Sequence, residues 1–303
     1  MAREILILAP GVGYLPGGTN RGLLVNEAEK RAAAVDAGMD RDSARQLLSA
    51  ATAAGGTVTD VFLTHAHADH FGGAAFLRER TGAAVAATGL EAAVVAHPEL
   101  EPLYLFAGGA PPAELRGKFL LGQACAVDRV VEPGEAVALA GLECRVESLP
   151  GHTLAQAGLG YGPVLFAGDA FFLPSVLEKH PIPVFAAPRE ARQTLARLPE
   201  LEYEWFVPGH GPAVDREGLR RACTATLAAL DRLTEAVLAA LAAGPRTTEE
   251  LLAQAAEAVG DRLETLASVC LARLTIQGIQ GELADAGTVR PLCRGNTLLW
   301  ESA

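Results

Sequence analysis

The chain of 303 residues reads as a layered protein of the α/β or α+β class. Three observations predict this. Short apolar runs alternate with helical segments through the first two thirds, residues 127–168 are mainly strand, and from residue 219 the apolar spacing turns helical. Strands and helices that each carry an apolar face bury it by stacking in layers.

The elements follow in order. The runs 4–9, 21–25 and 32–35 predict strands, and the glycines and proline of 11–18 predict a long loop between the first two. Alanine-rich 42–54 predicts a helix, and the branched and aromatic residues of 58–63 a buried strand. Helix is expected over 69–80, strand over 83–88 and helix over 89–97. Strands are expected at 127–131, 135–139, 142–148 and 164–167, then helix at 189–197 and strand at 205–207. Leu219, Cys223, Leu227, Leu230, Val237 and Leu241 form one stripe of an amphipathic helix that Gly244-Pro245 ends. Thr247 or Thr248 caps a helix through 257, residues 263–283 supply one or two more, and strands at 288–291 and 297–301 join across Arg294-Gly295-Asn296. Helices followed by a two-stranded flap outline a winged helix. The expected division is a body over 1–215, a connecting helix over 216–243 and a tail over 244–303.

Half the residues are apolar and 20% are charged, which provides a sizeable core. The formal charge is −11 and lysine occurs only at 30, 118 and 179. That balance disfavours a nucleic-acid partner, whose binding rewards basic patches through counterion release. The longest uncharged stretch, 148–168, holds Pro150, His152, Gln156 and five glycines, so it makes a poor membrane span. The apolar run 5–10 is too short for a secretory signal, and a soluble, cytoplasmic protein is expected. Cysteines at 125, 144, 223, 270 and 293 form no C-x-x-C pair and read as small buried hydrophobes in a reducing compartment.

The segment Thr64-His65-Ala66-His67-Ala68-Asp69-His70 points to chemistry. Three of the seven histidines and one aspartate fall between a buried strand and an amphipathic helix. Four such groups at one strand end are costly to desolvate unless they hold something, and imidazole with carboxylate suits zinc, iron or manganese. Further ligand types follow strands in the same manner, each beside glycine: His152 in Pro150-Gly151-His152, Asp169 in Ala167-Gly168-Asp169 and His210 in Pro208-Gly209-His210. Glycine permits close backbone approach or unusual dihedrals.

These motifs resemble the metallo-β-lactamase superfamily, and the resemblance runs from about residue 1 to about 215. It implies an α+β fold, a four-layer αββα sandwich with metals between its sheets, and here a smaller helical or winged-helix-like C-terminal domain. By the same resemblance His65, His67 and His152 bind a first metal, Asp69, His70 and His210 a second, and Asp169 bridges the two. Two divalent ions are implied, zinc foremost, with iron or manganese as alternatives. Asp36, in Ala34-Val35-Asp36-Ala37-Gly38, resembles the family's early Asp-x-Gly element, a buried aspartate behind the site; equally it reads as a turn aspartate.

The implied chemistry is hydrolysis by a metal-bridging hydroxide, oriented by Asp69 and Asp169 as the catalytic carboxylates, with Asp169 passing a proton to the leaving group. No G-x-S-x-G elbow or Cys–His nucleophile pair is present. Aspartate and histidine at 69 and 70, with Asp169, resemble the glyoxalase-II-like and lactonase-like branches, which implies an ester, thioester or lactone as a small-molecule substrate. Segments 97–124, with Tyr104, and 170–185, with Phe172, Lys179 and His180, are expected to wall the pocket. His97, before Pro98 at a helix end, reads as structural. The H-x-H-A-D-H variant also resembles persulfide dioxygenases, which imply a single iron at the counterparts of His65, His152 and Asp169. Lactamase-like ribonucleases carry similar tails, but residues 245–303 hold five arginines, no lysine and eight acids. The tail therefore reads as a packing or homodimer element, or as one edge of the substrate cleft.

Overall fold

A computed structural model describes residues 4–303. From the N-terminal side the chain lays down strands β1 (Leu6–Ala9), β2 (Val12–Leu15), β3 (Arg21–Asn26) and β4 (Arg31–Val35) and helix α1 (Arg41–Ala53). Strand β5 (Thr57–Phe62), helices α2 (Ala68–Phe71) and α3 (Ala74–Thr81) and strand β6 (Ala84–Ala87) follow. Helices α4 (Gly89–Ala96) and α5 (Leu100–Leu105) lead to the short strand β7 (Arg129–Val130). Then come β8 (Ala136–Leu139), β9 (Leu142–Ser148), β10 (Ala157–Tyr161) and β11 (Val164–Gly168), helices α6 (Pro174–Leu177) and α7 (Pro188–Arg197), and strands β12 (Trp205–Pro208) and β13 (Val214–Asp215). The remainder is α8 (Arg216–Ala242), α9 (Thr248–Val259), α10 (Leu266–Asp285) and the hairpin β14 (Val289–Arg294) and β15 (Thr297–Ser302).

Strands β1 to β7 form one sheet in sequence order, and a second runs β13-β12-β11-β10-β9-β8. Val35, Phe62, Val146, Phe166 and Val207 fill the space between the sheets. Val58, Val61, Leu47 and Leu77 join the first sheet to α1 and α3, while Leu165, Phe206, Leu195 and Leu219 join the second to α7 and α8. Each sheet buries both faces, which produces the expected αββα layering. Strand β4 shows how: Ala32 and Ala34 face the helices while Ala33 and Val35 face the other sheet.

Strand direction places the site. Strand β9 is antiparallel to β10, β10 to β11, and β11 is parallel to β12. So β9, β11 and β12 point the same way, and the residues after each, 149–152, 169 and 209–210, leave at one edge.

Four differences from the sequence reading have local causes. Residues 12–15 are a strand rather than loop, because Gly11, at φ +69°, turns β1 tightly into β2. Strand β10 is hidden by its glycines; the Tyr203 side chain lies over Gly160, where a Cβ would meet its hydroxyl at 2.0 Å. Helix 69–80 is split at Gly72-Gly73, where the Gly73 N–H leaves the helix to bond the Gly38 carbonyl. Cys293 is exposed, unlike the other four cysteines.

Helix α8 belongs to two cores. Its Leu219, Cys223 and Leu230 pack into the body, and its Leu233, Val237 and Leu241 pack with Leu251, Ile276 and Ile279 of α9 and α10. Asp215 caps it, and Thr247 with Glu250 forms a capping box on α9. The hairpin gains a single-residue bridge on β15, where Arg246 and Trp300 exchange backbone hydrogen bonds. Among the described residues no helix is long and apolar enough to cross a membrane.

Candidate metal centre

All seven residues singled out in the sequence meet at the common edge of the two sheets. The ligand atoms fall into three overlapping groups, His65–His67–His152, His65–His70–Asp169 and Asp69–His70–His210, each with its atoms within 4.8 Å of one another. His210 Nε2 lies 3.3 Å from Asp169 Oδ2 and 3.5 Å from Asp69 Oδ2, and His152 Nε2 lies 3.5 Å from Asp169 Oδ2. Atoms binding one tetrahedral cation at about 2.0–2.1 Å stand about 3.3 Å apart, so this spacing suits shared coordination.

Four of the five imidazoles are oriented from behind. His152 Nδ1 donates to the Val184 carbonyl at 2.7 Å and His210 Nδ1 to the Gly18 carbonyl at 2.6 Å. His70 Nδ1 donates to Asp36 Oδ2 at 2.8 Å. Asp36 also accepts from the Thr64 amide and hydroxyl, and Thr64 Oγ1 in turn faces His65 Nδ1 at 3.1 Å. Nε2 is thereby left facing inward on four rings. His67 presents Nδ1 instead, 2.8 Å from His152 Nε2. Asp36, left open between two roles by the sequence, is buried at φ +59° and braces the site.

His65 Nε2, His70 Nε2 and Asp169 Oδ1 are buried and have no hydrogen-bond partner among the described residues. Orphaned polar atoms of this kind are rare in folded proteins, and three that face one another fit a cation. The residues therefore fit a metal site.

The charges divide the site in two. Burial, together with neighbouring imidazoles, holds His65 well below the ordinary histidine range; burial and His152 bring His67 down to about 3, and burial lowers His152. The other side behaves oppositely. Burial works against the charge of His70, but Asp69, Asp169 and Asp36 outweigh it and raise the ring to about 9. The Asp169 carboxylate leads in raising His210 to about 10. Asp169 stays well below the ordinary carboxylate range: burial opposes its charge, but His210, His70 and His152 prevail.

Glycine beside a ligand has a steric reason at 209, where a Cβ would sit 1.9 Å from Asp169 Oδ1. Three supports were not anticipated from sequence. Glu91 is buried and accepts from the Ala66 amide, the Thr153 hydroxyl and the Ala155 amide, clamping the His65–His67 turn to the His152 loop. Its signal was available: it is the one charged residue in the otherwise apolar α4. The Thr19 hydroxyl donates to Asp69 Oδ2 at 2.6 Å. Glu101 is buried with Oε1 3.9 Å from His67 Nε2, and burial with the charges of Asp69 and Glu91 pushes its carboxyl well up.

A cavity of about 850 Å³ opens from the metal centre. Both expected segments wall it, 97–124 through Glu101, Phe119 and Leu120, and 170–185 through residues including Phe172, Lys179 and His180. The ring of Phe172 meets that of His152 edge-on at 6.0 Å. Tyr104 is half-exposed and outside the lining; His97 faces solvent beside Glu99. The tail contributes too, through Arg262, Leu263, Ser268 and Leu271.

Fold and site together define a sandwich enzyme scaffold with a histidine–aspartate cluster that fits metal, and the chain belongs to the metallo-beta-lactamase superfamily, whose family model matches residues 15–210. A hydroxyacylglutathione hydrolase of Rhodopseudomonas palustris is 32% identical over 155 residues, 50% of this chain and 48% of the relative. A beta-lactamase hydrolase-like protein of Xylella fastidiosa is 28% identical over 162 residues, 50% of this chain and 34% of the relative. The chain thus spans about half the length of the first and a third of the second. A metallo-beta-lactamase family protein of Thermus thermophilus shares the fold over 98% of this chain and all of its own, with a TM-score of 0.73 at 22% identity. A beta-lactamase domain protein of Burkholderia ambifaria covers 100% of this chain at a TM-score of 0.76 and 21% identity, with 94% of its own length covered.

Proposed function

We propose that the protein is a metal-dependent hydrolase that holds two divalent cations, zinc foremost, and cleaves an acyl bond of the ester, thioester or lactone type. The observation that carries this reading is the buried trio His65 Nε2, His70 Nε2 and Asp169 Oδ1, which lack hydrogen-bond partners among the described residues and form the group that links the other two. Bound there, the cations supply Lewis acidity and make water nucleophilic at neutral pH. Asp69, anchored by Thr19, orients the water through its carboxylate. Asp169, whose carboxylate lies beside His70, His152 and His210, accepts a proton and returns it to the leaving group. Phe172, Val176, Ile182 and Leu271 on the cavity wall suit an organic acyl group, and the relatives named for hydroxyacylglutathione favour a thioester. Asp69, His70 and His210 together favour two cations over the single iron of a dioxygenase. Against RNA as substrate, the lone cation of α10, Arg273, is engaged by the Leu105 carbonyl.

The test is metal analysis of purified protein with turnover of thioester, lactone and phosphodiester panels. Near two metals per chain are expected, and Asp169→Ala should stay folded while losing on the order of 10²-fold or more in thioester hydrolysis. Undiminished turnover by Asp169→Ala overturns the role of Asp169. One iron with persulfide-dependent oxygen uptake replaces the hydrolase reading.

A further inference from the structure

The tail reaches the metal centre through one short extended segment. Residues 183–187 run between α10 and the turn that carries His152. On one side, the Thr275 hydroxyl of α10 donates to the Pro183 carbonyl at 2.9 Å and accepts from the Phe185 amide at 2.9 Å. On the other, the Val184 carbonyl accepts from His152 Nδ1, the Ala186 amide donates to the His152 carbonyl at 3.1 Å, and the Ala187 amide donates to the Gly151 carbonyl at 2.9 Å. Thr275 grips the residues on both sides of Val184, and Val184 fixes the ring. Helix α10 also approaches closely, since a Cβ on Gly278 would lie 2.5 Å from Pro188 Cδ and 2.9 Å from the Ala186 carbonyl oxygen.

We infer that Thr275 is a positioning residue for His152, so that the C-terminal helix sets the geometry of a metal ligand 123 residues earlier in the chain. The physical argument is one of constraint. A carbonyl acceptor requires the proton on Nδ1 and leaves Nε2 as the inward lone pair. The hold is only as rigid as the peptide that bears the carbonyl. Segment 183–187 lies in no helix or strand, so no ladder fixes it. Thr275 is fully buried and supplies both a donor and an acceptor to that backbone, which a segment between two packed layers needs for satisfaction. Thr275 itself is not among the cavity-lining residues, and its hydroxyl meets this segment at the Pro183 carbonyl and the Phe185 amide, on either side of Val184.

The inference rests on the reading of His152 as a metal ligand, and the test separates the two. Thr275→Val keeps the shape and removes the hydroxyl; Thr275→Ser restores the hydroxyl. Ile279→Ala, in the core that α10 shares with α8 and α9, controls for lost stability. Zinc affinity by chelator competition is expected to fall about tenfold or more in Thr275→Val and to recover in Thr275→Ser, while Ile279→Ala lowers Tm with affinity retained. Nitrogen-15 NMR of the metal-free protein is expected to show a fixed Nδ1–H tautomer of His152 in the wild type and a mixture in Thr275→Val. Wild-type zinc affinity in Thr275→Val together with an unchanged His152 tautomer overturns the inference. Should the wild type bind no zinc, the ligand reading fails, and the tautomer still decides whether Thr275 orients the ring.

Discussion

Asp36 Oδ2 and His70 Nδ1 are 2.8 Å apart although 34 residues separate them in the chain. The contact ties the end of the first sheet to the one-turn helix α2, and the carboxylate also holds Thr64 behind His65. Asp36 has a left-handed backbone, φ +59°, which asparagine tolerates. Asp36→Asn therefore removes the charge and leaves the turn intact. Metal at the Asp69–His70–His210 side should bind about 10- to 100-fold more weakly, with little change in Tm. Chelator competition on the variant checks this, and equal affinity would remove Asp36 from the site.

Loading with metal should release protons from one side only. In the metal-free protein His70 titrates near 9 and His210 near 10, while His67 lies near 3 and His65 and His152 are also lowered. At pH 7.5 the first pair is charged and the other three rings are neutral. A cation bound by His70 and His210 must displace their protons, so affinity there falls with acidification below about 9. The His65–His67–His152 side should keep its metal to lower pH. Calorimetry in buffers of different ionisation enthalpy should find about two protons released per chain from these rings, in addition to any released by bound water. No release would mean that His70 and His210 are already neutral.

The same shifts set the pH dependence of the metal-free fold. Both rings have folded values above the ordinary 6.5, so their stabilising contribution is complete below pH 6.5 and is lost as pH rises through 9 to 10. Metal-free protein should therefore lose Tm between pH 7 and pH 10, in addition to any general alkaline effect. Zinc-loaded protein should lose less, and parallel slopes of Tm against pH would contradict the assignment.

Gly209→Ala tests packing rather than chemistry. Its Cβ would press on Asp169 Oδ1 at 1.9 Å and on His70 Cε1 at 2.7 Å. Overpacking of this kind costs about 1–3 kcal/mol, and here the groups that must yield are two of the proposed ligands. Lower Tm and loss of at least one metal are expected, measured by thermal unfolding and metal analysis of the same sample.

Arg262 from the tail and Lys179 from the segment after α6 line the same cavity and are exposed. Arg262→Glu should raise KM about three- to tenfold for a thioester with a carboxylate on its thiol part, with a smaller change in kcat and a response that fades with salt. A thioester with a neutral thiol part serves as comparison, and an equal rise in KM for both would dismiss the electrostatic role.

Sequence by itself determined the layered class and singled out the residues of the candidate metal site. His65, His67, Asp69 and His70 crowd one strand end, and His152, Asp169 and His210 repeat a strand-then-glycine context, so the signal is local and its residue types are costly to bury without a purpose. The helical stripe of α8 was legible for the same reason, since periodicity is a property of neighbours in sequence. Tertiary structure alone decided the rest. Strand β10 forms by pairing with β9 and β11, with glycine at 160 making room for Tyr203, and the break at Gly72-Gly73 comes with the bond to Gly38. Thr19 and Thr275 are ordinary residues in ordinary local settings, and Glu91 stands out only as the one charge in an apolar helix. Their parts follow from which backbone groups the packed layers bring opposite them, and a buried amide or carbonyl takes whichever partner the fold supplies.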